Sequence, residues 1–130
     1  MTNHSSEPIP LTTTGKPKVI FNGIADWVYE EEILSDEKAF WVNSDGSHLI
    51  YAQFNDTEVE EASWPVYGDP LNLTDPYTKT VSVRYPKPGK KNPDVNLFVH
   101  NLNSSEIWEV KPQDNYILNR YFLKLILMFI

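Results

Sequence analysis

The 130-residue chain contains no cysteine, which removes disulfide scaffolding and thiolate metal sites and is neutral about cellular compartment. Basic residues are scarce, 11 Lys and Arg against 18 Asp and Glu for a net charge of -7. That balance excludes nucleic acid as a partner, because neutralising phosphates takes clustered cations. Lys87, Lys90 and Lys91 form the one basic cluster, in a segment that reads as a loop. Residues 1–15 hold no apolar stretch of the kind a signal peptide requires, so neither leader nor anchor is expected there. The longest apolar tract, ILNRYFLKLILMFI at 117–130, is broken by Asn119, Arg120 and Lys124. It is shorter than the ~20 residues of a membrane-spanning helix. It also stops without a helix-ending signal, so 115–130 is read as a divergent apolar end left by truncation. No G-x-S-x-G occurs, and His4, His48 and His100 fall in a tail and two strands, so no nucleophile and no triad base is expected. Motifs for metal, phosphate or cofactor binding are also missing, and none of these ligands is expected.

What remains is a globular composition, 41% hydrophobic and 13% aromatic. A turn-rich opening leads to the short apolar run Val19 to Phe21 and an Asn22-Gly23 turn signal. Asp26 stands at an N-cap position before WVYEEEIL, predicting a short helix from Trp27 to about Leu34 with acids favoured in its first turn. AFWVNSDGSHLIYAQF, from residue 39, reads as two β-prone runs joined at Asp45-Gly46, a hairpin. Residues 55–77 are acidic, proline-containing and aperiodic, and read as an excursion from the sheet. TKTVSVRY at 78–85, VNLFVHNL at 95–102 and SSEIWEV at 104–110 read as strands, with a Pro- and Gly-rich loop between the first two.

The one constellation able to carry chemistry is Glu30, Glu31 and Glu32, flanked by Trp27 and Tyr29. Successive helical positions lie ~100° apart, so the three cannot share a face, but two neighbours can converge on one small cation. Crowded carboxylates repel, and a bound ammonium group relieves the repulsion through charge-assisted hydrogen bonds. An ordinary acidic, solvated helix start is the competing reading of the same triplet.

NGIADWVYEEEIL at 22–34 resembles the NGxxDWVYEEE segment of the dipeptidyl peptidase IV family. AFWVNSDGSHLIYAQFNDTEV at 39–59 and YTKTVSVRYPKPGKKNPDVNLFVHNL at 77–102 are similar to two further blocks of that family in the same order. The likeness departs at Val42 to Gly46, where the family's turn proline is lost, and over 60–76, and it fades beyond Ser104. The family joins an eight-bladed propeller to an α/β-hydrolase domain and removes X-Pro or X-Ala dipeptides from peptide N-termini. The resemblance therefore implies an all-β fold: about one and a half blades of a β-propeller with an extended arm, plus one short helix carrying the Glu-Glu motif, spanning residues 1–114. By position it implies that Glu31 and Glu32 bind the substrate's protonated α-amine, with Ser35 near the same pocket. It implies peptide N-termini as partners of the full-length protein and a homodimer formed through the arm, residues 59–85. An extracellular, secreted or cell-surface parent follows too, which gives weight to the glycan acceptors at Asn55, Asn72 and Asn103. The chain is thus read as a serine-exopeptidase segment. The alternative is a non-catalytic dipeptidyl peptidase-like binding protein or a dimerisation module.

Overall fold

A computed structural model describes residues 7–68 and 77–111 of the chain. Asn72 and the 115–130 end lie outside the described residues. In chain order the elements are β1 (Ile20–Asn22), the helix α1 (Trp27–Tyr29) running into a π-helical turn (Glu30–Leu34), then β2 (Phe40–Val42), β3 (His48–Asn55), β4 (Glu61–Val66), β5 (Lys79–Arg84), β6 (Asp94–Asn101) and β7 (Ile107–Glu109).

These strands make one antiparallel sheet and one separate ribbon. In the sheet, β3 pairs with β6 over its full length, Asn55 opposite Asp94 through to His48 opposite Asn101, and β6 pairs with β7. The other side of β3 is shared. Ile20 to Asn22 face Asn55 to Gln53, and Phe40 to Val42 face Tyr51 to Leu49. β1 and β2 are therefore one strand row interrupted between Gly23 and Ala39. The break is closed around Ala52: Gly23 N donates to Ala52 O at 2.8 Å, Ala52 N donates to Ala39 O at 2.9 Å, and Ala39 N donates to Gly23 O at 3.0 Å. The result is four rows, the strand number of a propeller blade.

Residues 24–38 leave the sheet at that break as a loop with a narrow neck. Ile24 bridges to Lys38, and Ala25 N donates to Glu37 O at 2.8 Å. Gly23 makes the exit possible, since its φ of 70° lies in the left-handed region that a side chain disfavours. The inserted loop then folds back over one face of the sheet. Ala25 and Tyr29 join Ala39, Ala52, Phe54, Val95 and Leu97 in the core, with Val28 and Leu34 packed against them. The Tyr29 and Phe54 rings lie 4.8 Å apart. On the opposite face Tyr51 stacks on Phe98 at 5.4 Å, in register across β3 and β6.

The Asp45-Gly46 hairpin forms as its chemistry predicts. Gly46 takes φ 72°, its amide donates to Asn43 O at 3.0 Å, and Ser47 N donates to Asp45 Oδ1 at 2.8 Å. Two expectations are corrected. The 55–77 excursion contains a strand, β4, and its partner is the 78–85 run, so β5 belongs to a two-stranded ribbon outside the main sheet. Glu61 and Pro65 hid β4, but a two-stranded ribbon consists only of edges, where proline is tolerated. The helix has the predicted bounds, 27–34, but its second part is π-wound.

The sheet leaves Phe40, Val42, Ile107 and Trp108 exposed, and the ribbon exposes Trp64, Val66 and Val81. Tyr51 and Phe54, by contrast, are buried within the chain itself. Open apolar faces and unpaired edges favour association. The isolated chain is expected to be polydisperse in light scattering and to melt without a sharp cooperative transition; a monodisperse monomer with a sharp transition would contradict this.

Candidate functional site

The acidic triplet sits on the π-helical turn of the inserted loop. A π-turn is a rare local winding that occurs often at functional sites. It ends at Ser35, whose φ of 53° is left-handed for a non-glycine residue. Glu31 and Glu32 are exposed and Glu30 is half-buried. No side-chain hydrogen bond or ion pair engages any of the three among the described residues. The structure thus places Glu31 and Glu32 as successive, exposed and unneutralised residues on a turn whose preceding residue, Tyr29, is locked into the core.

A second group of charges, at the start of the inserted helix, the end of β3 and the root of the ribbon, was missed by sequence reasoning. Asp26 has the extended backbone of an N-cap residue, φ -71° and ψ 170°, but its side chain makes no capping hydrogen bond. Instead it is 1% exposed, with both carboxylate oxygens unpartnered. Asp56, just beyond β3, is 2% exposed and its Oδ1 is likewise unpartnered. Arg84, at the end of β5, donates from Nη1 to Val59 O at 2.6 Å and pairs through Nη2 with Glu61 at 3.5 Å, while its buried Nε has no partner.

Burial raises the Asp26 pKa to about 6; the Tyr29 and Val28 amides face the carboxylate without reaching hydrogen-bond geometry and offset part of the rise. Burial, then the Asp26 charge, raises Asp56 to about 7 against the opposing pull of Arg84. Burial and the Asp26 charge push Tyr29 up to about 12. Only one clue to this group existed in the sequence: both aspartates lie in the blocks that carry the family resemblance, Asp26 between Ala25 and Trp27 and Asp56 after Phe54 and Asn55.

The other expected positions are simpler. Asn55 ends β3, and its Oδ1 accepts from Thr57 N at 3.0 Å and Thr57 Oγ1 at 2.6 Å. Asn103 is exposed in the turn between β6 and β7. His48 is half-buried, its Nδ1 2.7 Å from Ser47 Oγ, and His100 is buried with Nδ1 unpartnered.

The family model for the dipeptidyl peptidase IV (DPP IV) N-terminal region matches residues 2–126. Venom dipeptidyl peptidase 4 of Apis mellifera is 46% identical over 104 residues, covering 78% of this chain and 13% of the relative. Dipeptidyl peptidase 4 of Bos taurus is 48% identical over 94 residues, covering 72% of this chain and 12% of the relative. Among solved structures, Porphyromonas gingivalis dipeptidyl peptidase 4 superposes with a TM-score of 0.70 at 29% identity, covering 82% of this chain and 14% of that one. The chain belongs to the dipeptidyl peptidase IV N-terminal-region family, and its fold is part of that family's β-propeller. It spans 12–14% of the length of these relatives.

A pH prediction follows from the buried pair. Both carboxyls hold their protons more tightly folded than unfolded, so the stability they contribute is complete below the ordinary value of 3.8 and is lost as pH rises through about 6 and about 7. Asp56→Asn, which keeps shape but cannot ionise, should therefore raise the melting temperature at pH 8. The gain should vanish near pH 4, as read by thermal unfolding of the full-length protein at both pH values.

Proposed function

We propose that this chain is the substrate-gripping segment of a dipeptidyl peptidase IV-type serine exopeptidase, in which Glu31 and Glu32 bind the protonated α-amine of peptides whose N-terminal X-Pro or X-Ala dipeptide is released. The observation that carries the reading is the pair of adjacent, exposed carboxylates without side-chain partners on a turn anchored by Tyr29. Two carboxylates aimed at one ammonium make charge-assisted hydrogen bonds. An internal peptide bond offers no ammonium, so the same pair discriminates against endopeptidase substrates. It also sets the distance from the amine to the scissile bond, which is how a binding group outside the reacting atoms raises rate. The nucleophile, base and oxyanion hole belong to another domain of the parent, so this segment contributes binding and register.

The ribbon supports a companion proposal. Residues 59–85 project Trp64, Val66, Tyr67, Tyr77 and Val81 into solvent, an apolar surface suited to homodimerisation of the parent. For the parent we further propose an extracellular, secreted or cell-surface location, with glycans at Asn55 and Asn103 and at Asn72. Asn55 is backed by its strand-end position and by the Thr57 contact that orders its acceptor tripeptide.

In the full-length enzyme, Glu31→Gln or Glu32→Gln should lower kcat/KM on an X-Pro amide roughly 10- to 100-fold, because a hydrogen bond to a charged group contributes about 1.5–3 kcal/mol. Near wild-type kinetics in both variants would end the amine-binding reading. Asn55→Gln should remove one increment of the mass shift produced by deglycosylation of the secreted protein, measured by mass spectrometry of the intact chain.

A further inference from the structure

The start of the inserted helix, the end of β3 and the root of the ribbon meet at one junction. Asp26 starts the helix, and its carbonyl accepts Glu30 N at 2.9 Å, so a movement of Asp26 is transmitted to the first residue of the triplet. Asp56 is pinned by its own backbone at the end of β3, its amide donating to Val19 O at 2.8 Å and its carbonyl accepting Val59 N at 3.0 Å. Arg84 closes the root of the ribbon through Val59 O and Glu61. Trp27, next to Asp26, packs edge-on to Tyr85, next to Arg84, with ring centroids 5.3 Å apart. The root of the inserted loop and the root of the ribbon are thus one packed junction.

We propose that Asp26 and Asp56 are positioning residues for Glu31 and Glu32, acting as a carboxyl pair that holds the inserted helix against the ribbon root while protonated and loosens it when both are ionised. The proposal rests on the reading of Glu31 and Glu32 as the amine-binding groups. Its basis is geometric: two carboxyls, each at most 2% exposed and carrying unpartnered oxygens, cannot both stay charged without cost, since buried like charges repel and unsatisfied oxygens forfeit their hydration. A protonated carboxyl is uncharged, so protonating either aspartate removes the repulsion between the two. The charged and titratable groups facing the pair are Tyr29 from the helix, Arg84 from β5, and Glu61 from β4 acting through its ion pair with Arg84. The single guanidinium offsets part of one charge and does not neutralise two. Burial raises the two carboxyls to about 6 and about 7, below the ~7.7 of a free α-amine, so most of their effect on amine binding precedes substrate deprotonation.

The test is the pH dependence of KM and kcat for an X-Pro amide between pH 5.5 and 7.5, in the full-length enzyme carrying this segment. Wild-type KM should rise by about fivefold across the window, the low end of coupling between linked sites. In Asp56→Asn and Asp26→Asn the rise should shrink to the less than about twofold effect of substrate deprotonation alone, with the change falling on KM rather than kcat. In parallel, hydrogen exchange of wild-type amides 27–34, corrected for intrinsic rate, should lose protection over the same window, a readout that needs no variant to fold. Superimposable KM profiles in wild type and both Asn variants, or unchanged protection at 27–34, would overturn the proposal while the Glu31→Gln and Glu32→Gln effects stood. If those two glutamine variants were silent, the amine-binding reading and this proposal would fall together.

Discussion

The rest of the structure depends on how Ala52 is paired. In an uninterrupted antiparallel row one residue would face it; here Gly23 accepts the pairing on one side and Ala39 on the other. The sheet keeps its hydrogen bonds through the break, so a 15-residue loop, 24–38, can leave and return without opening an edge inside the sheet. Because backbone groups at the break are satisfied, the cost falls on one residue, Gly23, whose left-handed conformation suits a residue without Cβ. The proposed amine-binding pair is carried on that loop.

A loop supplied by a break in a strand row would be free to swing if only its neck held it. Tyr29 prevents this, inserting among Phe54, Ala52 and Leu97 so that the turn after it inherits the rigidity of the sheet. The exposed carboxylates of Glu31 and Glu32 are one residue and two residues beyond Glu30, whose amide is tied to Asp26. Rigidity and charge therefore come from different residues. The apolar side of the loop faces the sheet, and the acidic side faces outward where an ammonium group could approach.

Burying Asp26 and Asp56 beneath the same loop runs against the hydrophobic logic of the core. A fully apolar junction of similar shape would be cheaper, since the nearby amides and Arg84 offset only part of the hydration these buried carboxyls forfeit. Such expense in an otherwise well-packed region is commonest where function is served. The ribbon root contributes the balancing charge, Arg84, and ties it in turn to Val59 and Glu61. Loop and ribbon are consequently linked by electrostatics as well as by the Trp27 and Tyr85 rings.

Local pattern alone determined much of this. Alternating residues of β3 and β6, the Asp45-Gly46 turn and the 27–34 helix bounds are all legible, because each is set by neighbours within a few residues. The amine-binding role proposed for Glu31 and Glu32 rests on family resemblance, since an acidic triplet is by composition an ordinary helix start. Other features were decided by tertiary structure. β4 could not be read from EASWPV, because pairing with β5 rather than periodicity makes it a strand. The π-winding of Glu30–Leu34 has no signal in local propensity, which favours an ordinary α-turn there. Asp26 read as a cap and Asp56 as part of a glycan acceptor tripeptide. Their burial together required residues 30 positions apart to be brought under one loop, and only the folded chain, by closing the row around Ala52, could do that.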